Sequence, residues 1–246
     1  MIKNGYSEKI TVKYSETDQN LAMKPYSLLN FLQDIASANA EKQGFGYSFI
    51  HPRGYAWFLI KYHMEFAEYP FDVQELTLVT EPRGYNKLFA FRDFELYKEE
   101  KLIARMTSMW SVVDVDKRSM VPVTTALEGN PYMPVLEKRE DDLGFPKVSS
   151  ITKPDTEREY TVRYNDLDVN GHANNGNYVV WAFEPLSFEF KNSHKIKTLD
   201  MLYKKEARYG ETLVSQIEIN GNTTIHRLLN KENEDICLLE CEWTEI

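Results

Sequence analysis

Hydrophobic and polar residues follow two different periods in the first half of the chain. A short alternating run at 8–14 precedes a segment in which Leu28, Leu32 and Ile35 recur at helical spacing. Alternation with a period of two predicts a half-buried strand, and apolar residues three or four positions apart predict a helix. Four more alternating runs follow, at 55–66, 75–82, 85–97 and 102–115. The pattern predicts a strand, a helix and an antiparallel meander, which is an α+β arrangement rather than a series of βαβ units.

The second half repeats this order of elements. An alternating run at 158–164 precedes an apolar, helix-like run at 178–190, which Pro185 is expected to kink or split. Strand-like runs follow at 199–206, 212–220, 223–230 and 236–244. A charged segment with several prolines, including Pro131 and Pro134, lies between the halves. We predict three parts: an N-terminal domain at 1–125, a connector at 126–155 and a C-terminal domain at 156–246.

Direct sequence similarity supports the repeat. Residues 11–20 align with 161–170, and five of these ten positions are identical. Two antiparallel sheets, each wrapping one long helix, can join edge to edge and so cover strand edges that would otherwise be exposed. The first copy has Ala22 where the second has His172. This asymmetry predicts that the second copy carries the chemistry, while the first copy shapes a pocket.

One short segment of the second copy concentrates polar side chains. Asp168, Asn170 and His172 occupy every second position, so an extended backbone would point all three to the same side. An acid, an amide and an imidazole suit acyl transfer, because they can orient a group, polarise a carbonyl and move protons. The alternative is a turn that caps the following helix, since Asn, Asp and Gly are common turn residues.

Composition excludes several classes of protein. The chain has 246 residues with 42% hydrophobic content, which is typical of a globular protein. Its net charge of −9 argues against nucleic acid as the main partner. No apolar run approaches the roughly 18 residues of a membrane span, and the N-terminus lacks the apolar core of a signal peptide. We expect a cytoplasmic protein.

The cysteines and the remaining histidines suggest no further site. Cys237 and Cys241 lie on one predicted strand, too far apart for a disulfide and without partners for a zinc site, so we expect buried core residues. We predict no metal and no cofactor. The histidines outside the polar segment have no partners by spacing and are expected to be at the surface or incidental: His51, His63, His194 and His226.

Two sequence blocks resemble a known family. The run from Asp166 to Asn175, followed by Tyr178, Trp181 and Glu184, resembles the signature of the acyl-acyl-carrier-protein thioesterases, the plant and bacterial double-hotdog enzymes. The block Tyr203-Lys204-Lys205-Glu206-Ala207 resembles that family's segment of Tyr, two basic residues, Glu and Cys. The resemblance implies a tandem hotdog fold, hydrolysis of fatty acyl thioesters on acyl carrier protein, and a four-residue site. Those four residues are Asp168, Asn170, His172 and Glu206.

One departure from the family narrows the chemistry. Ala207 stands where the family often has Cys, so a Cys nucleophile at this position is excluded and attack by water is expected. We predict Glu206, buried on a strand opposite the motif, as the general base, although exchanging its role with that of Asp168 stays open. Asn170 would hold the carbonyl or the water, and His172 would share proton transfer or orient Glu206. Backbone amides after Asn174, at the start of the helix, would help to stabilise the oxyanion.

The sequence identifies the residues that contact the substrate less specifically than it identifies the polar site residues. Six apolar residues of the first copy are candidates to line an acyl tunnel, with ordinary core packing as the alternative: Leu28, Leu32, Ile35, Trp57, Phe58 and Met64. Basic residues of the second copy are candidates to dock the acidic carrier protein: Lys191, Lys195, Lys197, Lys204, Lys205 and Arg208. The alternatives are an acyl-CoA thioesterase, a hotdog dehydratase and a non-catalytic acyl-binding protein. Both a monomer and a homodimer remain open.

Overall fold

The computed structural model describes residues 2, 5–130 and 135–246, and its first half follows the predicted order of elements. Strand β1 is Tyr6–Thr11, and the helices are α1 (Pro25–Lys42) and α2 (Tyr47–Ile50). A meander follows with strands β2 (Tyr55–Phe66), β3 (Glu75–Tyr85), β4 (Phe89–Lys98), β5 (Lys101–Asp114) and β6 (Ser119–Val121). The short helix α3 (Val123–Ala126) ends this half.

The second half has the same plan with shorter helices. It begins with β7 (Thr156–Thr161), α4 (Asn175–Phe183) and α5 (Phe188–Ser193). Strands β8 (His194–Tyr203), β9 (Thr212–Asn220), β10 (Thr223–Leu229) and β11 (Asp235–Glu245) complete it. Pro185 lies between α4 and α5, so the predicted split of the helix is confirmed. The long helix expected of this copy is thus a pair of short ones.

Both halves contribute to one antiparallel sheet, which has eleven strands within the described residues. The strand order is β1-β3-β4-β5-β2 in the first half and β8-β11-β10-β9-β7 in the second, and β6 pairs with β5 outside this path. Each half therefore arranges its five main strands identically, and β2 pairs with β8 at the junction. Tyr62 lies opposite Met201 in that pair. The predicted edge-to-edge joining of two copies is present.

The helices pack against each other under the sheet. Pro25 occupies the first turn of α1, where a missing amide hydrogen costs nothing. Helix α1 also contacts α4 closely at Gly176. A Cβ atom added to this glycine would lie only 3.0 Å from side-chain atoms of Tyr26 and Asn30 on α1. This close approach places the start of α4, and the polar segment before it, beside the first copy. No helix among the described residues is long and apolar enough to cross a membrane.

The segment after α3 has little regular structure. It lies against the first half through ion pairs of Arg83 with Asp142 and of Arg139 with Glu81. The predicted connector includes Pro131 and Pro134, which lie outside the described residues. The three-part division of the chain stays a prediction.

Two histidines expected to be at the surface or incidental are buried. His63 Nδ1 lies 2.7 Å from Asp200 Oδ1, across the junction between β2 and β8. His226 is fully buried, with Nδ1 2.7 Å from the Ala182 carbonyl oxygen. Burial lowers the pKa of His226 to about 4. The expectation was wrong because the partners come from distant segments, which spacing along the chain does not reveal.

Candidate active site

The polar segment forms a tight turn rather than an extended strand. Oδ1 of Asp168 accepts hydrogen bonds from the amides of Asn170 (2.8 Å) and His172 (3.2 Å). The chain reverses between these residues, with Asp168 N donating to the His172 carbonyl at 2.7 Å and Gly171 at a φ of 75°. A left-handed φ is easily adopted by glycine. Of the two alternatives that the sequence left open, the extended strand is wrong and the turn is confirmed, because the Asp168 side chain closes it.

The first copy contains the same turn. Oδ1 of Asp18 accepts from the amides of Asn20 (2.8 Å) and Ala22 (2.9 Å), and Asp18 N donates to the Ala22 carbonyl at 2.8 Å. Leu21 takes the left-handed conformation there, with a φ of 59°. Because a copy without the histidine builds an identical turn, the shared aspartate has a structural role in both copies.

Glu206 lies in a loop, not on a strand. Strand β8 ends at Tyr203, because the amides of Lys204 and Lys205 both donate to the Ile236 carbonyl, at 2.9 and 3.2 Å. Two amides on one carbonyl break the regular ladder and turn the chain away. The Glu206 side chain is 41% exposed. The predictions of a strand position and of a buried carboxylate are both wrong.

The structure nevertheless brings Glu206 and His172 together. Nδ1 of His172 lies 3.3 Å from Oε1 of Glu206. The two segments are joined by a hydrogen bond from Ala173 N to the Ala207 carbonyl at 2.9 Å and by a β-bridge between His172 and Arg208. The imidazole is 26% exposed, so the pair is accessible to water and to a substrate.

Two tyrosines hold the ends of this site. The amide of Ala207 donates to the Tyr178 hydroxyl at 2.9 Å, and the Tyr203 hydroxyl donates to the Asn175 carbonyl at 3.1 Å. Their rings meet edge to face with centroids 5.4 Å apart. Burial raises the pKa of Tyr178, which keeps its hydroxyl protonated. Neither tyrosine was among the predicted site residues, although both lie in the two family-like blocks.

The cysteines cannot serve as nucleophiles here. Ala207 is fully buried. Cys237 and Cys241 are buried on β11, as predicted, and burial raises the pKa of both thiols. A nucleophilic cysteine needs thiolate at working pH. The described site thus offers a carboxylate and an imidazole, but no reactive thiol.

The other predicted polar groups, Asn170 and the amides after Asn174, make contacts of their own. The Asn170 side chain is exposed, and its Nδ2 lies 3.4 Å from Asp168 Oδ2. Asn174 caps the N-terminus of α4: its side chain accepts from the Gly176 amide at 2.7 Å, and its carbonyl accepts from the Asn177 amide. These contacts occupy two of the amides expected to stabilise an oxyanion, and they leave that of Asn175 as the candidate.

The predicted tunnel residues divide into two groups. Leu28, Leu32, Ile35 and Met64 are buried in the main hydrophobic core, which agrees with the alternative of ordinary packing. Trp57 and Phe58 on β2 are partly exposed. None of the six lines the pocket of about 330 Å³ that is described below. Their role in binding an acyl chain stays a prediction.

Most of the predicted docking residues are already paired. Lys197, Lys204 and Lys205 lie 2.6–2.8 Å from Glu242, Asp235 and Glu234. Lys195 is buried rather than at the surface. Among the described residues, no group of three or more His, Cys, Asp or Glu side chains is arranged to hold a metal ion.

Two family models match the chain. The model of the acyl-ACP thioesterase N-terminal domain matches residues 3–128, and that of the acyl-ACP thioesterase C-terminal domain matches residues 149–245. An oleoyl-acyl carrier protein thioesterase from Coriandrum sativum, a chloroplastic protein, is 23% identical over 249 residues, covering 91% of this chain and 66% of the relative. The chain spans less than two thirds of the length of the curated relatives first matched.

Solved structures share the fold. A putative oleoyl thioesterase from Lactobacillus plantarum has a TM-score of 0.89 at 24% identity, covering 99% of this chain and 97% of that one. The 12:0-ACP thioesterase from Umbellularia californica has a TM-score of 0.87 at 19% identity, with 98% of each chain covered. The predicted tandem hotdog fold is confirmed.

Proposed function

The chain belongs to the acyl-ACP thioesterase family, and we propose on that premise that it hydrolyses fatty acyl thioesters of acyl carrier protein and releases the free fatty acid. The observation that carries the proposal is the contact between His172 and Glu206, 3.3 Å apart in the one copy of the repeat that has the histidine. A carboxylate and an imidazole in contact at an accessible loop provide a general base. The copy without the histidine keeps the turn but lacks this pair.

The reaction needs no covalent intermediate. Water attacks the thioester carbonyl carbon while Glu206, directly or through His172, takes a proton from it. The tetrahedral oxyanion collapses, the C–S bond breaks, and the sulfur leaves as thiolate and receives that proton. The products are a fatty acid and the carrier-protein thiol, so atoms and charge balance with water as the second reactant.

The surrounding residues position the reacting groups. Asp168 is a poor candidate for the base, because its Oδ1 already accepts two backbone hydrogen bonds. Asp168 acts as a positioning residue, which favours Glu206 in the choice left open by the sequence. Asn170, whose side chain is exposed two positions before His172, holds the thioester carbonyl or the water. The Asn175 amide, at the positive end of α4, stabilises the oxyanion in this proposal.

The proposal also includes the partner protein, the metabolic process and the location of the chain. Acyl carrier protein is the donor, fatty acid synthesis is the process and the cytoplasm is the place of action. No cofactor takes part in the reaction as written. The relatives named above act, by their names, on oleoyl- and 12:0-acyl carrier protein, so the acyl chains to be tested should span that range.

Thiol release measured with a thiol-reactive dye tests the proposal. We expect the purified chain to hydrolyse carrier-protein thioesters from the 12:0 to the oleoyl chain with a higher kcat/KM than the matching CoA thioesters. A preference for CoA would instead support the acyl-CoA thioesterase. If no thiol is released from either set of thioesters, the alternative of a non-catalytic acyl-binding protein is supported. Dehydration of hydroxyacyl thioesters would support the alternative of a hotdog dehydratase.

A further inference from the structure

A pocket lies at the turn of the first copy. Its volume is about 330 Å³, within the range of small-molecule sites. Its walls are mainly apolar and come from both halves of the chain. The apolar lining includes Met23, Tyr69, Val179, Phe183, Ile196 and Trp243.

The pocket occupies the place that the His172–Glu206 site has in the second copy. The Met23 amide donates to the Pro70 carbonyl at 2.9 Å, just as the Ala173 amide donates to that of Ala207. Tyr69, which precedes Pro70, therefore corresponds to Glu206, and Ala22 corresponds to His172. The acid and the imidazole are both absent, so this place cannot perform the same chemistry.

Strand β8 contributes a lysine, Lys195, to the pocket, and the equivalent position of β2 has no charged residue. Strands β2 and β8 carry matching register shifts, which leave Ile60 and Lys197 unpaired with the neighbouring strands β5 and β11. With these shifts aligned, Lys195 corresponds to Phe58. A buried cation has taken the place of an aromatic ring.

Lys195 has unused hydrogen-bonding capacity. The residue is 9% exposed and lines the pocket, and its Nζ has no hydrogen-bond partner among the described residues. The nearest carboxylate oxygen, Asp18 Oδ2, lies 3.9 Å away, and the Phe71 ring centroid lies 4.8 Å away. An ammonium group carries three donors, and leaving a desolvated charge without hydrogen bonds is unfavourable. The pocket therefore favours a ligand that brings an acceptor to Nζ.

We propose that this pocket binds the anion of a medium-chain carboxylic acid, with the carboxylate on Lys195 and the alkyl chain against Trp243 and Phe183. At about 30 Å³ for each atom of water size, the volume holds roughly eleven non-hydrogen atoms, which fits octanoate or decanoate. Lys24 and Lys191 line the pocket together with Asp18 and Glu184, and Lys195 is the buried cation among them. A ligand with one charged end and an apolar chain therefore fits this lining.

The pocket is separate from the His172–Glu206 site. Val179, Val180 and Phe183 of α4 line it, whereas the catalytic turn precedes the other end of that helix at Asn175. Asn175 and Phe183 are eight residues apart, which is about 12 Å along a helix. The proposal depends on no assumption about hydrolysis, so a chain without thioesterase activity would still be expected to bind the ligand.

Calorimetric titration of the full chain with decanoate tests the proposal. We expect one decanoate per chain, with decanol and decylammonium bound at least about tenfold more weakly because they cannot accept from Lys195 as an anion does. Lys195→Met should weaken decanoate binding at least about tenfold. Lys197→Met removes a nearby surface lysine paired with Glu242 and is the matched control, with unchanged affinity expected.

A second variant tests the location and protects against a folding defect in the first. Val180 is exposed at the rim, so Val180→Trp should fill the pocket and block decanoate with little effect on folding. The proposal is overturned if wild type binds no decanoate, if decanol binds as tightly, or if Lys195→Met and Val180→Trp both keep wild-type affinity. Loss of binding in His172→Ala but not in Val180→Trp would place the ligand in the other site and would also overturn it.

Discussion

Nδ1 of His172 and Oε1 of Glu206 lie 3.3 Å apart, although the two residues come from different loops of the second copy. A turn presents one of them and the end of β8 presents the other. The Ala173–Ala207 hydrogen bond and the Ala207–Tyr178 hydrogen bond fix the loops against each other. The pairing is therefore built by backbone contacts, and the two side chains that meet are left partly exposed to substrate.

Thiol alkylation is expected to leave the activity intact. Cys237 and Cys241 are buried, and burial raises the pKa of both. Treatment of the folded enzyme with iodoacetamide should leave thioester hydrolysis unchanged, and mass spectrometry should find both thiols unmodified. The denatured chain, in which both become alkylated, is the control. Inactivation that tracks modification of either cysteine would refute direct water attack.

The two aspartate turns should separate stability from activity. Asp18→Ala and Asp168→Ala each remove a carboxylate that accepts two backbone hydrogen bonds. Each should lower the free energy of unfolding by roughly 1–3 kcal/mol, measured by urea denaturation. Only Asp168→Ala should also lower kcat/KM, because only its turn positions His172. Equal loss of activity in both variants would contradict this division.

The junction between the halves should respond to pH through His63. Burial alone lowers the pKa of this histidine, but hydrogen bonds with Asp200 and Glu65 outweigh it, and the net shift is upward. A raised pKa means that the folded state binds the proton more tightly than the unfolded state. The stabilisation is therefore complete below the ordinary value of 6.5 and is lost as the pH rises through the folded-state pKa.

Urea denaturation between pH 5.5 and 9 checks this expectation. Asp200→Asn should flatten the pH dependence of the unfolding free energy more than Glu65→Gln does. The reason is that Asp200 is the closer partner, at 2.7 Å against 3.2 Å, and the less exposed one. The prediction would be contradicted if the unfolding free energy of the wild type, relative to that of Asp200→Asn, rose from pH 6 to 8.

Much of the fold could be predicted because hydrophobic periodicity and the internal repeat are local signals. The split helix at Pro185 and the antiparallel meanders follow from such signals. The conformation at Asp168, Asn170 and His172 could not be predicted in this way, since alternate spacing fits a strand and a turn equally well. The deciding contact is the Asp168 carboxylate on two amides of its own loop.

The contact between His172 and Glu206 was expected from the sequence, but the environment of the two residues was not. The polar segment indicated His172 and the family resemblance indicated Glu206, yet burial of Glu206 was inferred from a strand that ends at Tyr203. Two amides on the Ile236 carbonyl end that strand, and pairing across β11 is invisible in the local sequence. For the same reason the sequence predicts Lys195 as one of several surface lysines. The first-copy turn that lies against it, at Asp18, is distant along the chain.

The most direct measurement of the central claim is kcat/KM for carrier-protein thioester hydrolysis by His172→Ala, Glu206→Gln and the double variant. Glu232→Gln, an exposed glutamate in the β10–β11 turn, is the matched control and should keep the wild-type value. We predict a fall of about 10²–10⁴-fold for each single variant. The double variant should lose little more, because the two groups act as a unit. Wild-type kcat/KM in either single variant, with the fold intact by circular dichroism, would contradict the account.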